Sequence, residues 1–201
     1  MTEPKPNSKI QMFAGMIFIV IGLAVFAVRL QHAGTYAMPH GGPLLGGIGA
    51  VLLGGILLWP NKPRLVGWVM LALSPAVLFP GIYGIVGELE EVVSLYALDS
   101  DGGRTDLRLW IVDRDDGEWV GMSQDKANAY SLNGARLEML RAGDIRCVIP
   151  VLSEDVSTTR AIHAKKVDKY ATARAAAAIG LYPREASDNT AVLRLDPCSG
   201  I

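Results

Sequence analysis

The chain has 201 residues, half of them hydrophobic, with a formal net charge of −1 and a mean hydropathy of +0.28. Such hydropathy is high for a water-soluble protein and points towards a membrane. The average conceals a split: residues 1–87 carry five Lys or Arg and one acid, Glu3, whereas residues 88–201 carry fourteen basic and nineteen acidic side chains. The second part is an ordinary charged surface with an acidic balance, and the absence of a basic stripe excludes nucleic acid as a partner.

After a tail at residues 1–9, residues 10–28 contain no charge; as a helix they extend roughly 28 Å, about the thickness of a hydrocarbon core. This predicts a first membrane span over 10–29. A signal peptide is the competing reading, but its apolar core is usually only about seven to fifteen residues long. Between Arg29 and Lys62 there is again no charged side chain, and a second, shorter span is expected over 43–60 with Trp59 at the interface. Gly42, Gly46, Ala50 and Gly54 recur every four residues there, a stripe that admits a neighbouring helix either within the bundle or from a second copy. The third span, 65–87, holds Pro75 and Pro80, which remove backbone donors and should kink it.

With three spans, Lys5, Lys9, Lys62 and Arg64 share one side, while the other receives only Arg29 and then Glu88, Glu90 and Glu91. Basic residues are retained in the cytoplasm. The expected topology is a multi-pass protein with a cytoplasmic N-terminus and residues 88–201 outside. No ionisable side chain lies inside a span, so transport through the helices has little support.

From residue 91 the pattern changes to alternation broken by turn signals, as in antiparallel strands. Strands are predicted over 92–99, 105–113 and 118–122, joined by the Ser100 to Gly103 turn and by Asp115-Asp116-Gly117 as a meander. Residues 127–133 read as one or two helical turns. A hairpin follows over 136–141 and 145–152, turning at Ala142-Gly143-Asp144, with Pro150 suited to a strand end or bulge. Ser153 ahead of Glu154 and Asp155 announces a long helix running to about residue 179 and ended by Gly180. A last strand is expected over 191–195. Six short strands and one long helix define an α+β domain, an antiparallel barrel with the helix packed on it.

The segments Val92-Val93-Ser94-Leu95, Asp99 to Gly103 and Arg108-Leu109-Trp110-Ile111-Val112-Asp113 resemble the opening hairpin of the flavin-binding split barrel, specifically the deazaflavin-dependent nitroreductase and quinone reductase-like group of the pyridoxamine-phosphate-oxidase-like superfamily. The hairpin at 137–150, Lys169-Tyr170 and Val192 to Pro197 follow in matching order. The resemblance covers most of residues 91–198. It implies an antiparallel split β-barrel and FMN or deazaflavin as cofactor. It further implies a quinone-like or nitro compound as substrate, a cleft shared in a homodimer, and a bacterial inner membrane. Arg104, Thr105 and Arg108 would meet phosphate, Trp110 would flank the ring, Lys126 and Lys169 would steer an anion, and Tyr170 would line the pocket. Each has a structural alternative: Arg104 and Arg108 as strand charges paired with Asp101 or Asp106, Lys165, Lys166 and Lys169 as a solvated helix face, Tyr170 as a core anchor. The resemblance breaks at residues 123–130, Ser-Gln-Asp-Lys-Ala-Asn-Ala-Tyr, which leaves open a second reading as a cofactor-free binding or assembly module tethered to the membrane.

His32, His40 and His163 have no metal-ligand spacing, and no nucleophile elbow, phosphate loop or paired-cysteine motif occurs. Cys147 and Cys198, the only cysteines, could pair outside the cytoplasm; Cys147 could equally be a small buried apolar residue.

Overall fold

The computed structural model describes residues 9–31, 42–98 and 101–198. His32, His40, most of the N-terminal tail and part of the Ser100 turn lie outside them. The chain divides between Leu89 and Glu90 into two compact units.

The first unit contains the helices α1 (Lys9–Gln31), α2 (Gly42–Leu58) and α3 (Arg64–Leu89). α1 and α3 are long and apolar enough to cross a membrane, whereas α2, with 17 residues, is shorter. The three predicted spans therefore reduce to two helices of full length and one shorter apolar helix. α3 continues through Pro75 and Pro80 as one helix. On α1 the buried residues Gln11, Gly15, Phe18, Gly22 and Val25 recur at alternating intervals of four and three, one stripe of a helix facing its neighbours. Small residues set the approach. A Cβ on Gly46 would lie 2.5 Å from the Gly81 nitrogen, and one on Gly54 would lie 2.6 Å from the Gly15 carbonyl oxygen, so the glycine stripe of α2 is occupied by α1 and α3. Arg29 and Glu88 form an ion pair. Phe13, Val20, Leu45, Leu52 and Leu73 are all more than half exposed.

The second unit is a closed barrel of six antiparallel strands in the order β1-β2-β3-β6-β5-β4. These are β1 (Val92–Leu98), β2 (Arg104–Arg114), β3 (Gly117–Ser123), β4 (Leu137–Arg141), β5 (Asp144–Leu152) and β6 (Thr190–Pro197). Closure comes from pairing of β1 with β4, Leu95 opposite Met139, and from β6 between β3 and β5. Alternate residues point inward: Val93, Leu95, Leu107, Leu109, Ile111, Val120, Met139, Val148 and Leu193 fill the interior as one cluster. The hairpin between β4 and β5 turns on Ala142 and Gly143, both at positive φ, as a two-residue turn that follows strand twist requires. Pro150 lies within β5 opposite Leu195 rather than at its end. Cys147 and Cys198 are joined as a disulfide, with Cα atoms 5.4 Å apart.

A short helix, α4 (Gln124–Ala129), fills the ambiguous stretch after β3, capped by Ser123. The predicted long helix is instead two, α5 (Val156–Lys169) and α6 (Ala171–Ala178). Its cap is Asp155, whose carboxylate accepts from the Ser157 and Thr158 amides, rather than Ser153. Gly180 ends the pair at φ +76°. The break at Tyr170 involves neither Gly nor Pro. Its backbone is extended (φ −99°, ψ 120°), which drives its side chain into the barrel wall, where it is 2% exposed.

Tyr170 reaches the point where β1 and β2 stop pairing. Their last rung is Val92 opposite Trp110, so the next would join Glu91 to Ile111. The Tyr170 hydroxyl takes that place. It accepts from the Ile111 amide at 2.9 Å and lies 2.6 Å from the Ile111 carbonyl and 2.8 Å from that of Glu91, either of which can receive its proton. The indole of Trp110 stacks on the phenol at 5.1 Å. Beyond the break, the Glu90 carboxylate accepts from the Thr172 amide at 2.9 Å and so caps α6 from outside the helix, where the dipole favours an anion. We expect Tyr170→Phe, which keeps the stack but orphans the Ile111 amide, to destabilise the barrel by about 1–3 kcal/mol in urea unfolding.

Candidate ligand cleft on the barrel wall

Of the residues expected to bind a cofactor, Trp110, Lys169 and Tyr170 come together, the indole stacked on the phenol at 5.1 Å and the ammonium 5.3 Å from its centre, whereas the others lie apart. On β2, Thr105 shares the inward parity of Leu107, Leu109 and Ile111, while Arg104, Arg108 and Trp110 share the outward one. Arg104 and Arg108 are four residues apart, about 13 Å along a strand. Arg104 lines a separate cleft of about 710 Å³ with Tyr96, Tyr130, Arg136 and Glu138. Lys126 lies on α4, and burial lowers its pKa. Lys169 donates to Glu91 at 2.6 Å and to the Ile111 carbonyl at 2.8 Å, so its charge is already matched. Tyr170 is the core anchor described above.

Lys169 belongs to an ionic cluster around Arg141, which reaches Glu91, Asp113 and Glu118; Glu118 also pairs with Arg146. The hydrogen bond from Lys169 holds the Glu91 carboxyl below its usual range, and that from Arg141 does the same for Asp113. Each cation there has an acid.

Lys166 has no acid among the described residues. α5 lies on the outer face of β2, β3 and β6, where Ile162 packs with Val112, Trp119 and Val192, and its buried stripe is Ile162, His163 and Lys166. Lys166 is 5% exposed. This corrects the sequence expectation, since only Lys165 and Lys169 have the partners or exposure of a helix face. The Lys166 side chain makes no hydrogen bond and no ion pair with any described residue, and its ammonium lies 5.5 Å from the centre of the Tyr182 ring. Burial without a compensating acid brings its pKa down to about 8. Room for the ammonium comes from Gly121 in mid-strand, where a Cβ would stand 3.1 Å from Nζ.

Around Lys166 is a cleft of about 310 Å³ lined by Trp110, Gly121, His163, Tyr182, Asn189 and Thr190, among others. The Tyr182 ring meets Trp110 edge-on at 6.2 Å and stacks on His163 at 5.5 Å. His163 lies within hydrogen-bonding distance of the Pro183 carbonyl through Nε2, at 2.9 Å. A carbonyl only accepts, so Nε2 carries the proton and Nδ1 is an acceptor, buried and without a partner. Burial, and then the Lys166 charge, lower the His163 pKa, which keeps the ring neutral. The cleft thus combines aromatic walls, one unmatched cation and one unmatched acceptor. Of the residues expected from the sequence to bind a cofactor, only Trp110 lines it. The one signal for the rest was Gly121 inside a strand, a mark of close approach.

No protein-family model and no curated relative matches the chain. Among solved structures it is similar to the heme storage protein HutZ of Vibrio cholerae, at 13% identity over 57% of this chain and 87% of that one, TM-score 0.42. It is also similar to a putative pyridoxamine 5′-phosphate oxidase of Listeria innocua, at 14% identity over 57% and 89%, TM-score 0.41. Campylobacter jejuni ChuZ gives 13% identity over 69% and 63%, TM-score 0.40. The assignment of this domain as a six-stranded antiparallel barrel rests on its own closed strand ladder.

An unpaired buried lysine costs stability. Below about pH 8 its ammonium is charged in the folded and unfolded chain alike and the desolvation penalty is complete. Between about pH 8 and the ordinary 10.5 the unfolded chain binds more protons, so stability rises with pH. Lys166→Met should therefore stabilise the barrel at pH 7 by about 1–3 kcal/mol, an advantage over the parent that shrinks as urea titrations are repeated up to pH 10.

Proposed function

We propose that this protein is a multi-pass membrane protein whose barrel stands on the extracytoplasmic side and holds a small planar anion in the Lys166 cleft, as a membrane-tethered binding module. The observation that carries this reading is the unmatched Lys166 ammonium facing Trp110 and Tyr182 in a cleft. A protein retains a desolvated charge where a ligand supplies its counterion. The Cys147–Cys198 disulfide suits an oxidising compartment, and the placement of Lys5, Lys9, Lys62 and Arg64 suits a cytoplasmic N-terminus.

The second reading is a flavin- or deazaflavin-dependent reductase of quinone-like or nitro compounds, and the aromatic walls of the same cleft favour it. Arg104, Thr105 and Arg108 do not fit a shared phosphate. Lys166 would instead hold the anionic group, with Trp110 and Tyr182 against the ring and a second copy closing the open side. The flavin would supply electron transfer to a lipophilic substrate arriving from the membrane. A deazaflavin made in the cytoplasm is poorly placed for an outside domain, which is why binding rather than reduction is the principal reading.

Titration of the detergent-purified full-length protein with FMN, deazaflavin and simple aromatic carboxylates, followed by absorbance and tryptophan fluorescence, tests both. At pH 6.5, Lys166→Met is expected to weaken the best ligand at least about tenfold, while Arg104→Ala and Arg108→Ala leave it within about twofold. Dependence on Arg104 or Arg108 with indifference to Lys166 would overturn the assignment of the cleft. Turnover of a quinone with bound flavin would promote the reductase reading.

For the topology, a protease added to intact spheroplasts should digest residues 88–201. Protection there, with cutting only after lysis, would reverse the orientation.

A further inference from the structure

We propose that Lys166 is a covalent capture site, whose amine condenses with a small aromatic aldehyde to form an imine in the cleft. The inference rests on the cleft assigned above and adds a ligand class and a chemistry to it.

The three lysines of α5 serve as internal controls for one another. Lys165 contacts the Asp113 carbonyl at 3.3 Å, and Lys169 is held by Glu91, Asp113 and the Ile111 carbonyl. Both have the surroundings of cations that remain cations. Lys166 is buried and has no carboxylate among the described residues, only the Tyr182 ring at 5.5 Å, which leaves its neutral form accessible, and a neutral amine is a nucleophile. Its pKa of about 8 leaves a substantial neutral fraction at mildly alkaline pH. Gly121 gives Nζ its place against β3, since a Cβ there would stand 3.1 Å from it. Trp110 and Tyr182 supply faces for an aromatic ring, and a volume of about 310 Å³ suits a compound of one or two rings. His163, one turn earlier on the same helix face, contributes a neutral imidazole rather than a second charge.

The condensation balances without any oxidant or reductant. The Nζ lone pair forms a bond to the carbonyl carbon, and the C=O π electrons move to oxygen, which takes up one proton as nitrogen gives one up. In the resulting carbinolamine the C–O bond breaks. The hydroxyl leaves with a further proton as water, nitrogen loses its remaining hydrogen as a proton, and C=N is formed. The step is reversible, and hydrolysis returns aldehyde and free lysine.

The test uses full-length protein in detergent, incubated with salicylaldehyde and sodium cyanoborohydride, which reduces an imine to a stable secondary amine, followed by peptide mass mapping. The expected result is a tag on Lys166 at least tenfold above that on Lys165 or Lys169, rising as the pH is taken through about 8. Gly121→Ala, whose Cβ would crowd Nζ, should cut the tag at least fivefold while circular dichroism remains that of the parent. Equal tagging of the three lysines, an untagged Lys166, or a folded Gly121→Ala variant tagged like the parent would each overturn the proposal. Should Lys166 stay untagged while anion binding still depends on it, covalent capture fails and the binding reading stands. Loss of both would remove the cleft as a ligand site.

Discussion

The barrel unit depends on one hydroxyl. Where β1 and β2 cease to pair, two backbone carbonyls and one amide would be left at the wall of a packed domain, and unsatisfied groups of that kind are expensive. The Tyr170 hydroxyl accepts from the amide and donates to one carbonyl, while Lys169 donates to that of Ile111, and the side chain reaches the strand gap from an extended residue between α5 and α6. Several features follow from the break. Lys169 is turned onto Glu91 and Asp113, Glu90 reaches the exposed start of α6, and Trp110 is held flat against the phenol. The cleft inherits its back wall from that stack.

Two treatments of charge coexist within one turn of α5. Around Arg141 and Lys169, cations and carboxylates alternate, with Glu91 and Asp113 stabilised in their ionised form by their neighbours. Such partly exposed networks contribute modestly to stability, and here they tie β1, β2, β3 and β4 to the helix. Lys166, three residues before Lys169, sits in the opposite environment of aromatic rings, a glycine floor and a neutral imidazole with an unmatched acceptor. A fold that can match its charges and leaves one unmatched has given up stability at that point, and ligand sites are where such losses concentrate.

The helical unit solves a different problem. Its helices approach through glycines, Gly46 to Gly81 and Gly54 to Gly15, and turn large apolar side chains outward. Close backbone contact supplies packing between these helices. In the barrel the drive is the usual one, with apolar side chains filling the interior, and the disulfide joins β5 to the residue following β6.

Periodicity made much of this architecture legible: the uncharged runs, the alternating strands, the Asp115 to Gly117 and Ala142 to Asp144 turns and the Gly180 stop all depend on local pattern or local backbone preference. The apolar run also marked the second helix as the shorter one, as α2 is, although it says little about where the last turn ends. The helix break was hidden because nothing local demands it: Tyr170 sits in a good helical run and is pulled out by a strand gap 59 residues earlier. The cleft was hidden for the same reason. Arg104, Thr105 and Arg108 look like a cluster in sequence but alternate across a strand, whereas Trp110, Gly121, Lys166 and Tyr182 come from four separate elements or loops. Local chemistry decided the elements of this protein. Only the packing of α5 on the outer face of the barrel decided that Lys166 would be buried without an acid among the described residues, because burial is a property of the packed assembly and not of the chain.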